Sequence, residues 1–290
     1  MPVETLPRPD WEACAIAHVA RLAPYVEPHL ARREAGEKHP VHDFLFSYYS
    51  QRPAQLVRWH PGYGVRLADA PAYDGLKGYE VSTGSADVGV TPAYVASQRP
   101  LLEATRRLLV ATAARPAHTG CFGLHEWAMV YRADETRHPQ SLRLGGAGTD
   151  AVVESHRIAC SHFDAFRFFT DDARPRNTVQ PSQDDRPAFE QPGCLHAGMD
   201  LYKHAFRLTP MISSDLVADC FELAWDIREL DMRAAPYDLA AFGVVPVRIE
   251  TPEGKQEYAA AQRGFAERGA PLRARLVEEC ARLLQVTVAA

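Results

Sequence analysis

The strongest constraint on the fold lies between residues 195 and 284, where three long stretches repeat apolar residues at helical spacing. Residues 195–208, 213–234 and 252–284 each read as a helix, because a 3.6-residue period sustained over three turns or more gives a continuous apolar stripe. Ser213, Ser214 and Asp215 offer N-cap chemistry to the second, with Pro210 ahead of it and Pro236 beyond its end. Upstream, residues 10–33 carry Trp11, Ala15, Val19 and Leu22 at three-to-four spacing; Asp10 after Pro9 is the expected N-cap, and Pro24 and Pro28 are expected to kink or split the helix. Residues 100–114 and 120–132 read as an antiparallel helical pair, 151–169 as a further helix, and the aromatic segment 42–50 as a short buried one.

Between these elements run two long stretches without a period. Residues 60–93 are rich in Gly, Pro and Asp with room for a few short strands, and residues 170–193 are polar and proline-rich. Both are expected to be irregular insertions or lids, since loops of that length are uncommon unless functional. Residues 133–150 form a loop or hairpin, and 244–251 a short strand. No βα alternation, GxGxxG or GxxxxGK[ST] occurs, which leaves a Rossmann or P-loop fold without support. The expected class is mainly α: a single-domain, multi-helix bundle over residues 1–290 with long irregular loops.

With 46% hydrophobic residues, the chain has enough apolar mass to enclose a deep pocket. No apolar run reaches the roughly 20 residues of a membrane span, and the start MPVETLPRPDWEAC lacks a basic-then-apolar leader pattern, so the expected location is cytoplasmic with no membrane partner. Six cysteines stand singly with no CxxC pair, which argues against a structural zinc knuckle or a disulfide framework. A net charge of −5 is the wrong sign for affinity dominated by nucleic-acid phosphates.

Five of twelve histidines sit in three short apolar segments, each with a carboxylate nearby: GLHEWAMVY (His125), ESHRIACSHFDAFRFF (His156, His162) and GCLHAGMDLYKHA (His196, His204). Imidazole and carboxylate set together among aromatics build a proton-transfer or metal site, because a dry pocket strengthens electrostatics. On a helix, His196 and Asp200 lie about 40° apart and share a face; His204 joins the row but extends it over about 12 Å of axis, too far for one ion. A helix over 151–169 turns His162 away from His156, so those two are not expected to meet. Asp164 beside Phe166, Phe168 and Phe169 is a carboxylate against aromatic mass, the setting that raises a pKa if it is buried; its structural alternative is pairing with Arg157 or Arg167. Only one of His125 and Glu126 can face a pocket, and Trp127 with Tyr131 forms an aromatic strip. His42-Asp43 is a dipeptide found in metal phosphohydrolases, equally readable as a cap with a surface histidine. Asp219, Glu222 and Asp226 form an exposed acidic row countered by Arg228 and Arg233, with Asp231 out of register; the alternative is that one of these carboxylates enters the site.

The strings HPVHDFLFSYYSQRPAQLVRWHPG, GCFGLHEWAMVYR, GTDAVVESHRIACSHFDAFRFF, EQPGCLHAGMDLYK, ELDMRAAPYDL and RIETPEGK resemble a bacterial family, frequent in actinobacteria, commonly labelled 3-methyladenine DNA glycosylase. The resemblance covers almost the whole chain and is not of the helix-hairpin-helix pattern. The family has tryptophan where this chain has His204, which sets His204 aside as an essential ligand. The resemblance implies an enzyme of DNA repair, a hydrolase that releases a damaged base from damaged DNA without a cofactor. Asp164, Glu126 and Asp200 are then candidate catalytic carboxylates, with Trp127, Tyr131, Phe168 and Tyr202 as the aromatic pocket for a flipped base. A histidine-rich pocket is foreign to that chemistry, however. It suits a metal-dependent enzyme acting on a small molecule, with one or two iron, manganese or zinc ions, non-haem iron among them, on His125, His156, His196 and Asp200. The third alternative is a helical ligand-binding protein without chemistry.

Overall fold

The computed structural model describes residues 4–49, 51–82, 84–136 and 138–287; the last residue of the expected 42–50 helix and single positions in 60–93 and 133–150 lie outside them. The described residues form one mainly helical domain with twelve α-helices and a four-stranded sheet, and no described helix is long and apolar enough to cross a membrane. In chain order the helices are α1 (Arg8–Glu34), α2 (Phe44–Ser47), α3 (Pro53–Leu56), α4 (Pro92–Ser97), α5 (Arg99–Ala113), α6 (Leu124–Ala128), α7 (Gly145–Ser155), α8 (Phe163–Phe166), α9 (Arg186–Phe189), α10 (Leu195–Arg207), α11 (Ser214–Ala234) and α12 (Pro252–Leu284).

The centre of the domain is the α10–α11 pair with α12 against both, as the three C-terminal periodic stretches predict. Gly198 brings α10 so close to α11 that a Cβ there would stand 2.7 Å from Ile227 Cδ1. Ser213 caps α11 by accepting from Asp215 N, and Thr251 caps α12 by accepting from Gly254 N. At Gly254 a side chain would overlap the Arg248 carbonyl, a backbone group with nowhere to retreat. Gly254→Ala is therefore expected to cost about 3 kcal/mol, read as a lowered urea midpoint; a wild-type midpoint would show that the turn before α12 can relax.

Helix α1 runs from Arg8 to Glu34 through Pro24 and Pro28, so the prolines do not split it. Both prolines stand on the exposed side, where water satisfies the carbonyls they free, while Leu22, Val26 and His29 face the core. The 60–93 stretch supplies three strands, β2 (Val65–Leu67), β3 (Tyr79–Val81) and β4 (Val88–Val90), which join β1 (Glu4–Leu6) in the order β1-β2-β4-β3. Trp11 of α1 ties this sheet to the helices by donating to Ala68 O at 2.9 Å and by packing edge-on to Tyr73.

Three expectations give way. The helix of 120–132 shortens to α6, which packs on α7, while α5 packs on α12 and α9, so the antiparallel α5–α6 pair is not formed. Residues 244–251 contain no strand among the described residues. The single helix of 151–169 is two, α7 and α8, with 156–162 outside any helix between them. The cause is Asn177: its side chain accepts from Cys160 N at 2.7 Å and donates to Cys160 O at 2.9 Å, and Ile158 bridges to Asn177 in parallel. Those bonds satisfy the backbone that a helix would otherwise have used. Residues 170–193 thereby become a strap lashed to the domain, with α9 lying on its surface and Glu190, just beyond that helix, buried.

Candidate metal centre

Three elements bring a donor set together. Gly123, at φ +71° just before α6, presses that helix start against α11 and α12: a Cβ would stand 3.2 Å from Ala234 Cβ and 3.4 Å from the Tyr258 ring. Two residues on, His125 points at Asp231, near the C-terminal end of α11, with Nε2 2.9 Å from Oδ1. His196, in the first turn of α10, meets the His125 ring edge-on at 4.5 Å. Donor atoms of His125, His196 and Asp231 all lie within 4.8 Å of one another, and no other group of three such residues does so among the described residues. Donors about 2.0–2.2 Å from one ion stand roughly 3–4 Å apart, so a side-chain movement on the order of 1 Å closes this set on a cation.

The surroundings orient each donor. Cys121 Sγ lies 3.8 Å from His125 Nδ1, which directs Nε2 inward. Arg228 donates to Asp231 Oδ2 at 3.2 Å and stacks over Phe44 at 3.8 Å, leaving Oδ1 for His125. Neither His125 Nε2 nor Asp231 Oδ1 has a well-directed hydrogen bond, although both are buried; the contact is an ion pair. Burial alone pushes His125 down, yet the Asp231 carboxylate lifts its pKa well above the ordinary value. Burial pushes Asp231 up, and the charge of His125 turns that into a net lowering. His196 is pushed down to about 3, first by burial and then by His125, so it is neutral at pH 7 with a lone pair to offer.

His125 and His196 lie on the wall of a cavity of about 770 Å³, together with Cys121, Cys160, Cys194 and Tyr258. One turn along α10 lies a second buried cluster centred on Asp200. Its Oδ2 accepts from Arg186 at 2.9 Å and Lys203 at 3.0 Å, and its Oδ1 from Tyr49 at 3.0 Å. Arg186 also holds Glu190 at 2.5 Å, and Lys203 holds Asp164 at 3.0 Å. His162 Nε2 stands 3.4 Å from Asp200 and 3.5 Å from Glu190, and its ring stacks on His196 at 5.3 Å, joining the two clusters. Asp200 titrates well below an ordinary carboxyl: its burial is opposed by the His162 hydrogen bond and the Lys203 charge. Two cationic side chains already fill the place that a metal ion would take here.

The candidate residues fall into distinct settings. His125 and His196 meet in the three-donor group. His156 lines the cavity but is turned back, its Nδ1 2.6 Å from Val152 O. Asp200 belongs to the neighbouring cluster, and Asp164 is half-buried there with its pKa lowered: burial opposes the shift and Lys203 drives it. Glu126 lies 3.8 Å from both His125 Nε2 and Arg228 Nη1. Trp127 is wholly buried, its indole donating to Ala234 O at 2.8 Å; Tyr202 packs on Phe221 in the core. Tyr131 donates to Glu154 at 2.8 Å, and Phe168 lies under Arg167. The cavity wall holds none of Glu126, Trp127, Tyr131, Asp164, Phe168, Asp200 or Tyr202.

His156 and His162 stay apart as expected, although the continuous helix behind that expectation is not formed. Because 156–162 leaves the helix, His162 reaches His196 while His156 stays at the rim. His204 is buried beside Asp200, pushed down to about 4 by burial, and stands outside the three-donor group. Asp43 is bound by Arg32, His29 and the His39 amide, a tie between α1 and α2. Asp219, Glu222 and Asp226 pair with Arg21, Arg275 and Arg268 on the surface of α11. Sequence reasoning missed Asp231 as a partner of His125. The signal was its five-residue step from Asp226, about 140° around the helix, which leaves the acidic row and falls among Ile227, Leu230 and Ala234.

Comparison of the chain with known protein families, characterised proteins and solved structures returns no match.

Proposed function

We propose that this chain is a metal-dependent enzyme acting on a small molecule, with one iron, manganese or zinc ion on His125, His196 and Asp231. The observation that carries the reading is the convergence of two cavity-wall imidazoles with the Asp231 carboxylate buried behind them, where His125 Nε2 and Asp231 Oδ1 meet each other without a well-directed hydrogen bond. Two histidines and one carboxylate are a donor set used for non-haem iron and for zinc, and a set of three protein ligands keeps positions open for water, oxygen or substrate. Such an ion supplies Lewis acidity and a lowered pKa for bound water. The chain's own residues orient the donors: Cys121 behind His125, and Arg228 behind Asp231.

The base-release reading implied by the family resemblance fits the geometry less well. Asp164 and Asp200 are both paired to Lys203, which favours their charged forms and leaves them weak bases, and they lie away from the cavity wall. The two readings separate in one measurement. Protein purified without added metal is expected to carry about one ion per chain by mass spectrometry, and His125→Ala is expected to lose it while remaining folded. A metal-free protein that releases a damaged base from DNA would establish the glycosylase reading instead.

A further inference from the structure

The cavity wall carries Arg115, Arg157 and four histidines and no aspartate or glutamate, in a chain whose acids outnumber its lysines and arginines 37 to 32. Asp231 offsets the charge of His125 from behind, and Arg228 in turn partners Asp231, so no carboxylate cancels the arginines within the wall. Arg115 is tethered through Nη2 to Pro187 O at 3.2 Å and keeps its other guanidinium donors. Arg157 is exposed and has no hydrogen-bond or ion-pair partner among the described residues. Its backbone is nonetheless placed, because it lies in the segment that Asn177 fastens at Cys160 and Ile158.

The same wall carries the apolar side chains of Phe122, Leu124, Val179, Phe189 and Leu195. Gln262 lies in that wall, buried; its Nε2 donates to Gly193 O at 2.5 Å, while its Oε1 has no partner. A ligand matching this pattern has an apolar body, one anionic head and a hydrogen-bond donor, within a volume of about 770 Å³. We infer that the substrate is a small organic acid whose carboxylate is held at the cavity mouth by Arg157, assisted by Arg115, while its apolar body reaches toward His125 and His196. A planar guanidinium fork matches a carboxylate with two parallel bonds, which an ammonium or an imidazole cannot do.

This inference deepens the metal-enzyme reading but stands on different residues, so the two can fail separately. Isothermal titration of the purified protein with 1-naphthylacetate and with 1-naphthylacetamide varies only the charge of the head group. The carboxylate is expected to bind about tenfold more tightly than the amide. Arg157→Ala is expected to abolish the difference with the amide affinity unchanged, and Arg157→Lys to restore part of it. The same preference after removal of metal by chelation, or in His125→Ala, would uphold the arginine subsite even if no ion belongs to the protein. Equal binding of the two probes, or no binding of the acid at millimolar concentration, overturns the inference. So does a preference that survives Arg157→Ala and vanishes in His125→Ala, since the anion would then sit on the metal. Displacement of the acid by a short single-stranded oligonucleotide at low salt would likewise replace the small-acid assignment with a nucleic-acid phosphate.

Discussion

Asp231→Ala is expected to cost about 3–5 kcal/mol of folding stability and to abolish metal retention, because it removes the buried carboxylate that His125 and Arg228 share. The stability loss alone would be an ambiguous result, since a misfolded site loses metal for trivial reasons. The pair Arg228→Met with Asp231→Leu resolves it. A buried ion pair exchanged for apolar residues of similar volume is often neutral in stability, so this double variant is expected to unfold near the wild-type urea midpoint and still hold no ion. A double variant that keeps a stoichiometric ion would remove Asp231 from the donor set. One that fails to fold would show that Phe44, on which Arg228 stacks, needs the guanidinium for packing.

Asp200→Asn is expected to be the next most damaging change, at about 3 kcal/mol near pH 7, since Arg186 and Lys203 lose the carboxylate they share. The pH dependence has a definite sign. Asp200 is held well below its unfolded value of about 3.9, so its contribution is fully present above that value and is lost as pH falls through the folded pKa. The stability gap between wild type and Asp200→Asn, measured by urea denaturation, is expected to be flat from about pH 5 to 7 and to narrow below about pH 4. A gap that stays constant or widens toward pH 3 would mean that the folded state does not favour the ionised carboxylate.

The fold was largely legible because its centre is made of long periodic helices. Sustained apolar spacing in α10, α11 and α12, with a serine or threonine cap before two of them, leaves little freedom over what they form. What escaped were short elements whose conformation is decided by a distant side chain. Nothing local to 156–162 announces that Asn177 will take both backbone groups of Cys160, and a helical pattern across 151–169 is what the segment shows until that bond is known. The three-donor group was legible in part: His125 and His196 stood out through their apolar, aromatic settings and do meet. Its carboxylate was not, because Asp200 and Asp164 are equally conspicuous and only the packing shows that Lys203 and Arg186 engage them. Asp231 required noticing one acid that leaves a charged stripe for an apolar one.

The missing side chain at Gly198 also works as a gauge for the proposed metal site. Gly198 lies two residues from His196, and Ile227, which it nearly touches, lies one turn before Asp231, so the clearance between α10 and α11 at this point sets how far apart two of the three donors stand. A residue that offers no donor atom and does not line the cavity thus governs the donor spacing of the proposed centre. Gly198→Ala is therefore expected to widen that span and to weaken ion retention at the proposed site, read as a lower metal content after purification.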